Sequence, residues 1–281
     1  MTAQNYSTSH RPTWCPGCGN WITWLAIRNA LAELNIPTHQ IAVSFDIGCA
    51  GNMANNIKCY SFHSLHGRAL PAAVGIKLAN QSLTVLAVAG DGGAYGEGLN
   101  HLIHAARENI NVTYLVTDNK VYSLTTGQSC PTTFQGMETK TTPWGEVKKP
   151  INPISLAIEA GATFVARGFV GELEQLKKLI KQAIQHQGFS LIDIIQPCVT
   201  FVPEFSMEFL KSKVFALPND FDNRDKKLAI QAAQGSEKWP IGLFYQESRP
   251  AYEKDFPQVK GNLIDQNIDS GKLKELIQEF K

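Results

Sequence analysis

Short apolar segments alternate with segments of helical periodicity along the first 200 residues of the chain. Four continuous apolar runs stand out, at residues 41–45, 83–90, 112–118 and 190–196. Before and between these runs, apolar residues recur at helical spacing near 20–35, 68–80, 96–109 and 171–186. Strands that are apolar on both faces are typical of parallel sheets covered by helices. The sequence therefore predicts an α/β fold with an open, mostly parallel sheet and helices on both faces.

This regular pattern weakens after about residue 200, where prolines separate short hydrophobic pieces. We predict one domain over residues 1–200 and an irregular C-terminal extension over 201–281, packing on that domain and on a partner subunit. The segment 120–152 is polar and rich in Thr and Pro. It is longer than passive connections usually are, which indicates a functional loop.

Composition excludes several classes of partner. The net charge is +1, so we expect no nucleic acid partner. The longest apolar run, residues 83–90, is too short to span a bilayer, and we expect no membrane association. The polar N-terminus lacks the order of a signal peptide. The sequence predicts a cytoplasmic protein.

The most informative motif follows the apolar run 83–90, which leads straight into Gly90-Asp91-Gly92-Gly93. The next predicted strand ends at Asp118-Asn119. In an open parallel sheet both strand ends lie at one edge, so Asp91 and Asn119 can converge there. Their oxygens suit Mg²⁺ bound to a diphosphate, and glycines allow phosphates to approach the backbone closely. A nucleotide-binding fold with an unrelated Gly-Asp-Gly turn is the alternative.

The chain has six cysteines, Cys15, Cys18, Cys49, Cys59, Cys130 and Cys198. A reducing compartment disfavours disulfides, so a metal site or inert thiols are the better interpretations. Cys15 and Cys18 can reach one metal centre from a single turn. Cys49 and Cys198 follow predicted strands, at the same edge as Asp91. Four such cysteines could bind zinc or an iron–sulfur cluster, and their spacing leaves both open.

Six motifs resemble, in this order, those of beta subunits of the 2-oxoacid:ferredoxin oxidoreductases. They are WCPGCGN, DIGCAGN, FHSLHGRALP, GDGGAYGEGLNHLIHAAR, DNKVYSLTTGQ and QPCVTF. The resemblance is close over roughly residues 12–205 and looser to about 255. It implies the thiamine-diphosphate-binding fold, with a [4Fe–4S] cluster on Cys15, Cys18, Cys49 and Cys198.

The resemblance also implies roles for individual residues. Asp91, Asn119 and the Val121 carbonyl would hold Mg²⁺. Thiamine diphosphate would be bound by Ile47, Gly48, Cys49, Ala50, His66, Gly90, Asp91, Gly92, Gly93, Asn119, Ser123 and Leu124. His66 would be the catalytic residue, donating a hydrogen bond to the diphosphate or the substrate, and His63 would be structural. We expect no site role for Cys59 or Cys130.

The implied reaction is oxidative decarboxylation of a 2-oxoacid with coenzyme A, giving acyl-CoA and CO₂ and passing electrons through the cluster to ferredoxin. In this superfamily the Glu that activates thiamine lies on a separate domain, so we expect an alpha (or fused gamma–alpha) subunit to supply it. Relatives that prefer 2-oxoglutarate often carry Lys where Thr126 stands, and the missing cation favours pyruvate-like substrates. The alternatives are a non-oxidative thiamine-diphosphate decarboxylase subunit and a zinc-binding scaffold.

Overall fold

The computed structural model describes residues 1–235, 237–255, 261–266 and 270–280. The strands are β1 (Ile41–Phe45), β2 (Tyr60–His63), β3 (Thr84–Gly90), β4 (Thr113–Asp118), β5 (Val121–Tyr122), β6 (Gln128–Ser129), β7 (Phe164–Phe169), β8 (Ser190–Ile195), β9 (Val214–Ala216) and β10 (Trp239–Gln246). The helices are α1 (Asn20–Glu33), α2 (Ala69–Ala79), α3 (Leu99–Glu108), α4 (Pro153–Ala160), α5 (Leu173–Gln185), α6 (Met207–Lys213), α7 (Lys226–Ala233), α8 (Tyr252–Asp255) and α9 (Ser270–Gln278). Within the described ranges, none of these helices combines the length and apolar character needed to cross a bilayer.

Eight strands form one sheet in the order β2-β1-β3-β4-β8-β7-β10-β9. The six strands from β2 to β7 in this order pair in parallel. Within this sheet β10 pairs antiparallel with β7, and β9 pairs in parallel with β10. The predicted open, mostly parallel α/β sheet is confirmed.

Helices cover both faces of the sheet because its central strands are apolar on both sides. Every residue of β1, β4, β7 and β8 is buried. One face packs against α1 and α5, and the other against α2, α3, α4 and α7. In α5, for example, Leu176, Leu179 and Ile180 face the sheet, while Lys178 is exposed.

The sequence patterns did not reveal β2, α4 or β7. Strand β7 contains Arg167 and Gly168, which interrupt its apolar run. Helix α4 does carry a start signal, since the Asn152 side chain accepts a hydrogen bond from the Ser155 amide, 3.2 Å away, and Pro153 follows it. Beyond residue 200 the chain is more regular than its composition suggests, because β9 and β10 extend the main sheet.

A glycine-containing turn after β3 lies directly against the end of β1. Asp46 follows β1, is fully buried, and accepts hydrogen bonds from the amides of Ile47 and Gly67, both at 2.8 Å. Burial raises the pKa of Asp46 to about 6. Gly93 begins a π-helical turn, and a side chain there would overlap Asp46 Oδ2. The turn can approach Asp46 only because residue 93 has no Cβ.

We expect Gly93→Ala to lower the free energy of unfolding by about 1–3 kcal/mol, because Asp46 or the turn must move. Gly75→Ala in α2 is the matched control, since its Cβ would meet no atom within 4 Å. In a helix that change should stabilise by about 0.5–1 kcal/mol. Urea unfolding followed by circular dichroism measures both. Equal stability of the two variants would contradict the close packing at Gly93.

Candidate cofactor and cluster site

A cavity of about 130 Å³ lies at the carboxyl ends of β1, β3 and β4. The structure brings to its wall all the residues predicted to bind thiamine diphosphate or Mg²⁺: Ile47, Gly48, Cys49, Ala50, His66, Gly90, Asp91, Gly92, Gly93, Asn119, Val121, Ser123 and Leu124. Four further lining residues had no sequence signal: Glu97, Thr117, Tyr122 and Thr125. His66 is exposed at the cavity, whereas the His63 ring lies 3.1 Å from the Asp46 carbonyl oxygen and helps to hold the loop.

Asp91 is the most constrained carboxylate of this cavity, with 2% of its surface exposed. Its Oδ1 accepts a hydrogen bond from the Gly92 amide at 3.0 Å. Its Oδ2 accepts from the Lys120 amide at 2.8 Å and from Thr132 Oγ1 at 2.7 Å. Burial, followed by the neighbouring Asp118, raises the pKa of Asp91 well above its usual range. A buried carboxyl of this kind favours neutralisation by a proton or by a bound cation.

The other two predicted magnesium ligands follow β4. Lys120 has a left-handed backbone, with φ of 69°, which turns the chain from β4 into the β5–β6 hairpin. The Val121 amide donates to Asn119 Oδ1 at 3.2 Å, and Asn119 Nδ2 donates to Ser123 Oγ at 3.2 Å. One carboxylate, one amide oxygen and one carbonyl at a single strand edge are the hard oxygen donors that Mg²⁺ requires. The donor set fits the predicted ion.

Buried polar residues surround the Asp91 carboxylate. Thr132 Oγ1 lies 3.1 Å from Asp118 Oδ1 as well as close to Asp91, and Lys120 Nζ forms an ion pair with Asp118. Cys130 is buried, with its Sγ 3.3 Å from Asp91 Oδ2. The position of Cys130 against Asp91 could not be read from the sequence, because it depends on how residues 120–152 fold back over the strand ends.

A second cavity, of about 140 Å³, adjoins the first. Its wall contains the four predicted cluster ligands, Cys15, Cys18, Cys49 and Cys198. Residues common to the two cavities are Cys49, Asn119, Ser123 and Leu124. In the ranges that the structure describes, no three His, Cys, Asp or Glu side chains surround a single point as ligands of one metal ion would.

Three tryptophans hold the loops that carry these cysteines. The rings of Trp14, Trp21 and Trp24 pack edge to face, with centroids 5.3 to 6.2 Å apart. Trp14 Nε1 donates to the Cys49 carbonyl at 2.7 Å, and Trp21 Nε1 donates to the Cys15 carbonyl at 3.1 Å. The aromatic group therefore fixes the backbone of two cysteines.

The thiols themselves are mostly shielded. Burial raises the pKa of Cys18 to about 11 and also raises the pKa of Cys49 and of Cys198. Hydroxyl groups donate to two of the sulfurs, Ser123 to Cys49 at 3.4 Å and Thr200 to Cys15 at 3.1 Å. A metal would have to displace the protons of these thiols.

Two residues outside both cavities were singled out in the sequence. Cys59 lines neither cavity; its Sγ lies 3.8 Å from the Ile57 carbonyl oxygen. Thr126 lies at the tip of the β5–β6 hairpin with a left-handed φ of 80°. Lys140 Nζ donates a hydrogen bond to its hydroxyl. A cation therefore does stand at this position, supplied by the 120–152 segment.

Known proteins share both the sequence and the fold. Residues 46–194 match the family described as thiamine pyrophosphate enzyme, C-terminal TPP binding domain. Residues 198–261 match the family that describes the C-terminal part of pyruvate ferredoxin oxidoreductase beta subunits. The 2-oxoacid:ferredoxin oxidoreductase subunit beta of Saccharolobus solfataricus is 38% identical over 267 residues, which cover 90% of this chain and 88% of that one.

Two further relatives act on a named substrate. The 2-oxoglutarate oxidoreductase subunit KorB of Mycobacterium tuberculosis is 43% identical over 198 residues, 70% of this chain and 53% of that one. The solved 2-oxoglutarate:ferredoxin oxidoreductase from Magnetococcus marinus, with 2-oxoglutarate, coenzyme A and succinyl-CoA bound, superposes with a TM-score of 0.92 at 34% identity. That match covers 98% of this chain and 96% of the solved one. The chain therefore belongs to the beta subunits of the 2-oxoacid:ferredoxin oxidoreductases.

Proposed function

We propose that this protein binds thiamine diphosphate, Mg²⁺ and a [4Fe–4S] cluster, and that it catalyses CoA-dependent oxidative decarboxylation of a 2-oxoacid together with an alpha subunit. One observation supports this most directly. The cavity lined by the four cysteines adjoins the cavity of the Gly-Asp-Gly motif, and Cys49 and Ser123 belong to both. Such contiguity is what electron transfer from a cofactor to a cluster, and on to ferredoxin, requires.

The residues of the chain have distinct roles in this proposal. Asp91, Asn119 and the Val121 carbonyl hold Mg²⁺, and Gly92 and Gly93 let the diphosphate approach the backbone. When bound, thiamine diphosphate supplies the nucleophilic carbon and the cluster accepts single electrons. His66, exposed at the cavity, donates a hydrogen bond to the diphosphate or to the substrate carboxylate.

The location of the cysteines favours the cluster over the zinc scaffold. The four thiols line a cavity that adjoins the cofactor cavity, and a merely structural zinc needs no place beside a cofactor. An iron–sulfur cluster also gives a reason for the thiols to adjoin the cofactor cavity, which a non-oxidative decarboxylase lacks. A reducing cytoplasm would preserve these thiols.

Substrate choice is proposed to depend on the Lys140–Thr126 contact. Thr126 by itself favours a short, pyruvate-like acid, because a second carboxylate needs a positive partner. Lys140 supplies that partner through its hydrogen bond to the Thr126 hydroxyl. We therefore include both pyruvate and 2-oxoglutarate as substrates. Neither Thr126 nor Lys140 lines the cofactor cavity, so Lys140 would recognise only the part of the longer acid that extends beyond it.

Replacing Cys15, Cys18, Cys49 or Cys198 with Ser should abolish or severely reduce iron and sulfide content, because each thiolate binds one corner of the cluster. Cys59→Ser is the matched control and should retain the cluster, since Cys59 lines neither cavity. Iron and acid-labile sulfide are assayed on anaerobically purified protein, together with the visible absorption that bleaches on reduction. Stoichiometric zinc without sulfide would refute the cluster.

Asp91→Ala should weaken Mg²⁺-dependent thiamine diphosphate binding by more than about 100-fold, because the diphosphate loses its bridging cation. Asn119→Ala should weaken it less, since one neutral ligand is lost. Asp46→Asn serves as a control for a buried carboxyl near the cavity that is not a predicted ligand. Calorimetric titration with thiamine diphosphate, with and without Mg²⁺, measures the effect. Wild-type affinity in Asp91→Ala would place the cofactor elsewhere.

The isolated chain should be inactive, and the alpha subunit should restore activity, because the Glu that activates thiamine is expected on that subunit. The assay mixes reconstituted chain, thiamine diphosphate, Mg²⁺, coenzyme A and a viologen acceptor with pyruvate or 2-oxoglutarate. Acyl-CoA formation without the alpha subunit would contradict the two-subunit proposal.

In the complex of both subunits, Lys140→Met should lower kcat/KM for 2-oxoglutarate at least about tenfold and leave kcat/KM for pyruvate unchanged. An equal effect on both acids would remove Lys140 from substrate recognition.

A further inference from the structure

Four neighbouring strands carry ionisable residues toward the carboxyl edge of the sheet. In spatial order, Asp91 follows β3, Asp118 ends β4, Asp193 lies on β8 and Arg167 lies on β7. Asp193 and Arg167 are register partners on adjacent strands, and Arg167 Nε donates to Asp193 Oδ2 at 3.2 Å. This row of ionisable residues begins with Asp91 at the cofactor cavity. It ends with Arg167, a cation two strands away from Asp118.

Arg167 lines a separate cavity of about 560 Å³. This cavity shares no lining residue with the cofactor cavity. Three of its lining residues are cations, Lys120, Lys149 and Arg167, and no Asp or Glu of the described chain lines it. Its wall also includes the rings of Phe134 and Trp239, which stack with centroids 5.4 Å apart and planes inclined by 13°. The cavity thus combines positive charge with an aromatic wall.

The side chain of Arg167 is buried, but only one of its three nitrogens donates a hydrogen bond to a described residue. Arg167 is 7% exposed, and within the described residues its side chain makes one hydrogen bond, the one from Nε to Asp193. Nη1 and Nη2 find no acceptor among the described residues, and neither is a fully buried atom. The guanidinium carbon also lies 5.5 Å from the centroid of the Phe244 ring. The free end of the fork matches two oxygens of one anion. Lys149, which is exposed and has no carboxylate partner among the described residues, adds a second positive charge.

We propose that this cavity binds a small phosphate ester, with the phosphate on Arg167 and Lys149 and an apolar or aromatic group against Phe134 and Trp239. Two cations suit a phosphate, which carries up to two charges, better than a single carboxylate. The burial of Arg167 favours a small molecule as the ligand. A docking protein would have to reach an arginine that is more than nine-tenths buried.

The probes are inorganic phosphate and phenyl phosphate, titrated calorimetrically into the full chain at fixed ionic strength. Thiamine diphosphate and Mg²⁺ are present so that the diphosphate position is occupied. We expect saturable binding of both probes, with phenyl phosphate the tighter because its ring meets the stacked pair. Failure of either probe to bind saturably, or equal affinity for the two, would overturn the proposal. Binding that disappears with Asp91→Ala and survives Arg167→Lys would place the phosphate in the cofactor cavity and would also overturn it.

Arg167→Lys keeps a positive charge beside Asp193 but removes the fork, and it should weaken phenyl phosphate binding about tenfold or more. Lys149→Ala should weaken it severalfold, and because Lys149 is exposed this variant also tests the site if Arg167→Lys does not fold. Lys178→Ala on α5, which does not line this cavity, is the matched charge control and should bind like wild type. Equal losses in all three variants would mean a nonspecific charge effect. Loss of binding when the alpha subunit is added would mean that a protein fills the cavity, and either result refutes the phosphate ester.

Discussion

Parallel pairing of β1, β3, β4 and β8 is the constraint on which both candidate sites depend. In a parallel sheet every strand ends at the same edge, so the residues that follow different strands meet there although they are far apart in sequence. Asp46, Asp91, Asn119 and Cys198 all lie within three residues of a strand end. One topological choice therefore sets a carboxylate, an amide, glycines and thiols side by side.

That arrangement concentrates negative charge that the protein must balance. Asp91, Asp118 and Asp193 are all almost completely buried. Lys120 and Arg167 form ion pairs with two of these carboxylates, and Thr132 bridges Asp91 and Asp118 by hydrogen bonds. Burial raises the pKa of Asp193, as it does that of Asp91. The pKa of Asp118 is lowered instead, because the Lys120 ammonium and the hydrogen bonds to Asp118 together outweigh the effect of its burial. The proposed cation would balance the one carboxylate of the three that has no ammonium or guanidinium partner among the described residues.

Sequence patterns predicted the parts of this arrangement that depend on local signals. The apolar run 83–90, the Gly-Asp-Gly turn and the cysteine loops each carry their signal within a few residues, and their positions in the structure agree. What could not be predicted depends on distant partners. Arg167 breaks the apolar run of β7 and makes sense only beside Asp193 on β8. Strand β10 needs β7 to pair with, and Lys140 reaches Thr126 only after residues 120–152 have folded back.

The packing of Trp14, Trp21 and Trp24 has a consequence for the stability of the proposed cluster site. Trp14 and Trp21 bind the carbonyls of Cys49 and Cys15, and no thiol takes part in either hydrogen bond. The two loops are therefore tied through their backbone, by rings that also pack on one another. Oxidative loss of the proposed cluster would leave these hydrogen bonds intact. The cysteine loops should therefore keep their positions, so that a new cluster can be inserted without the surrounding chain having to refold.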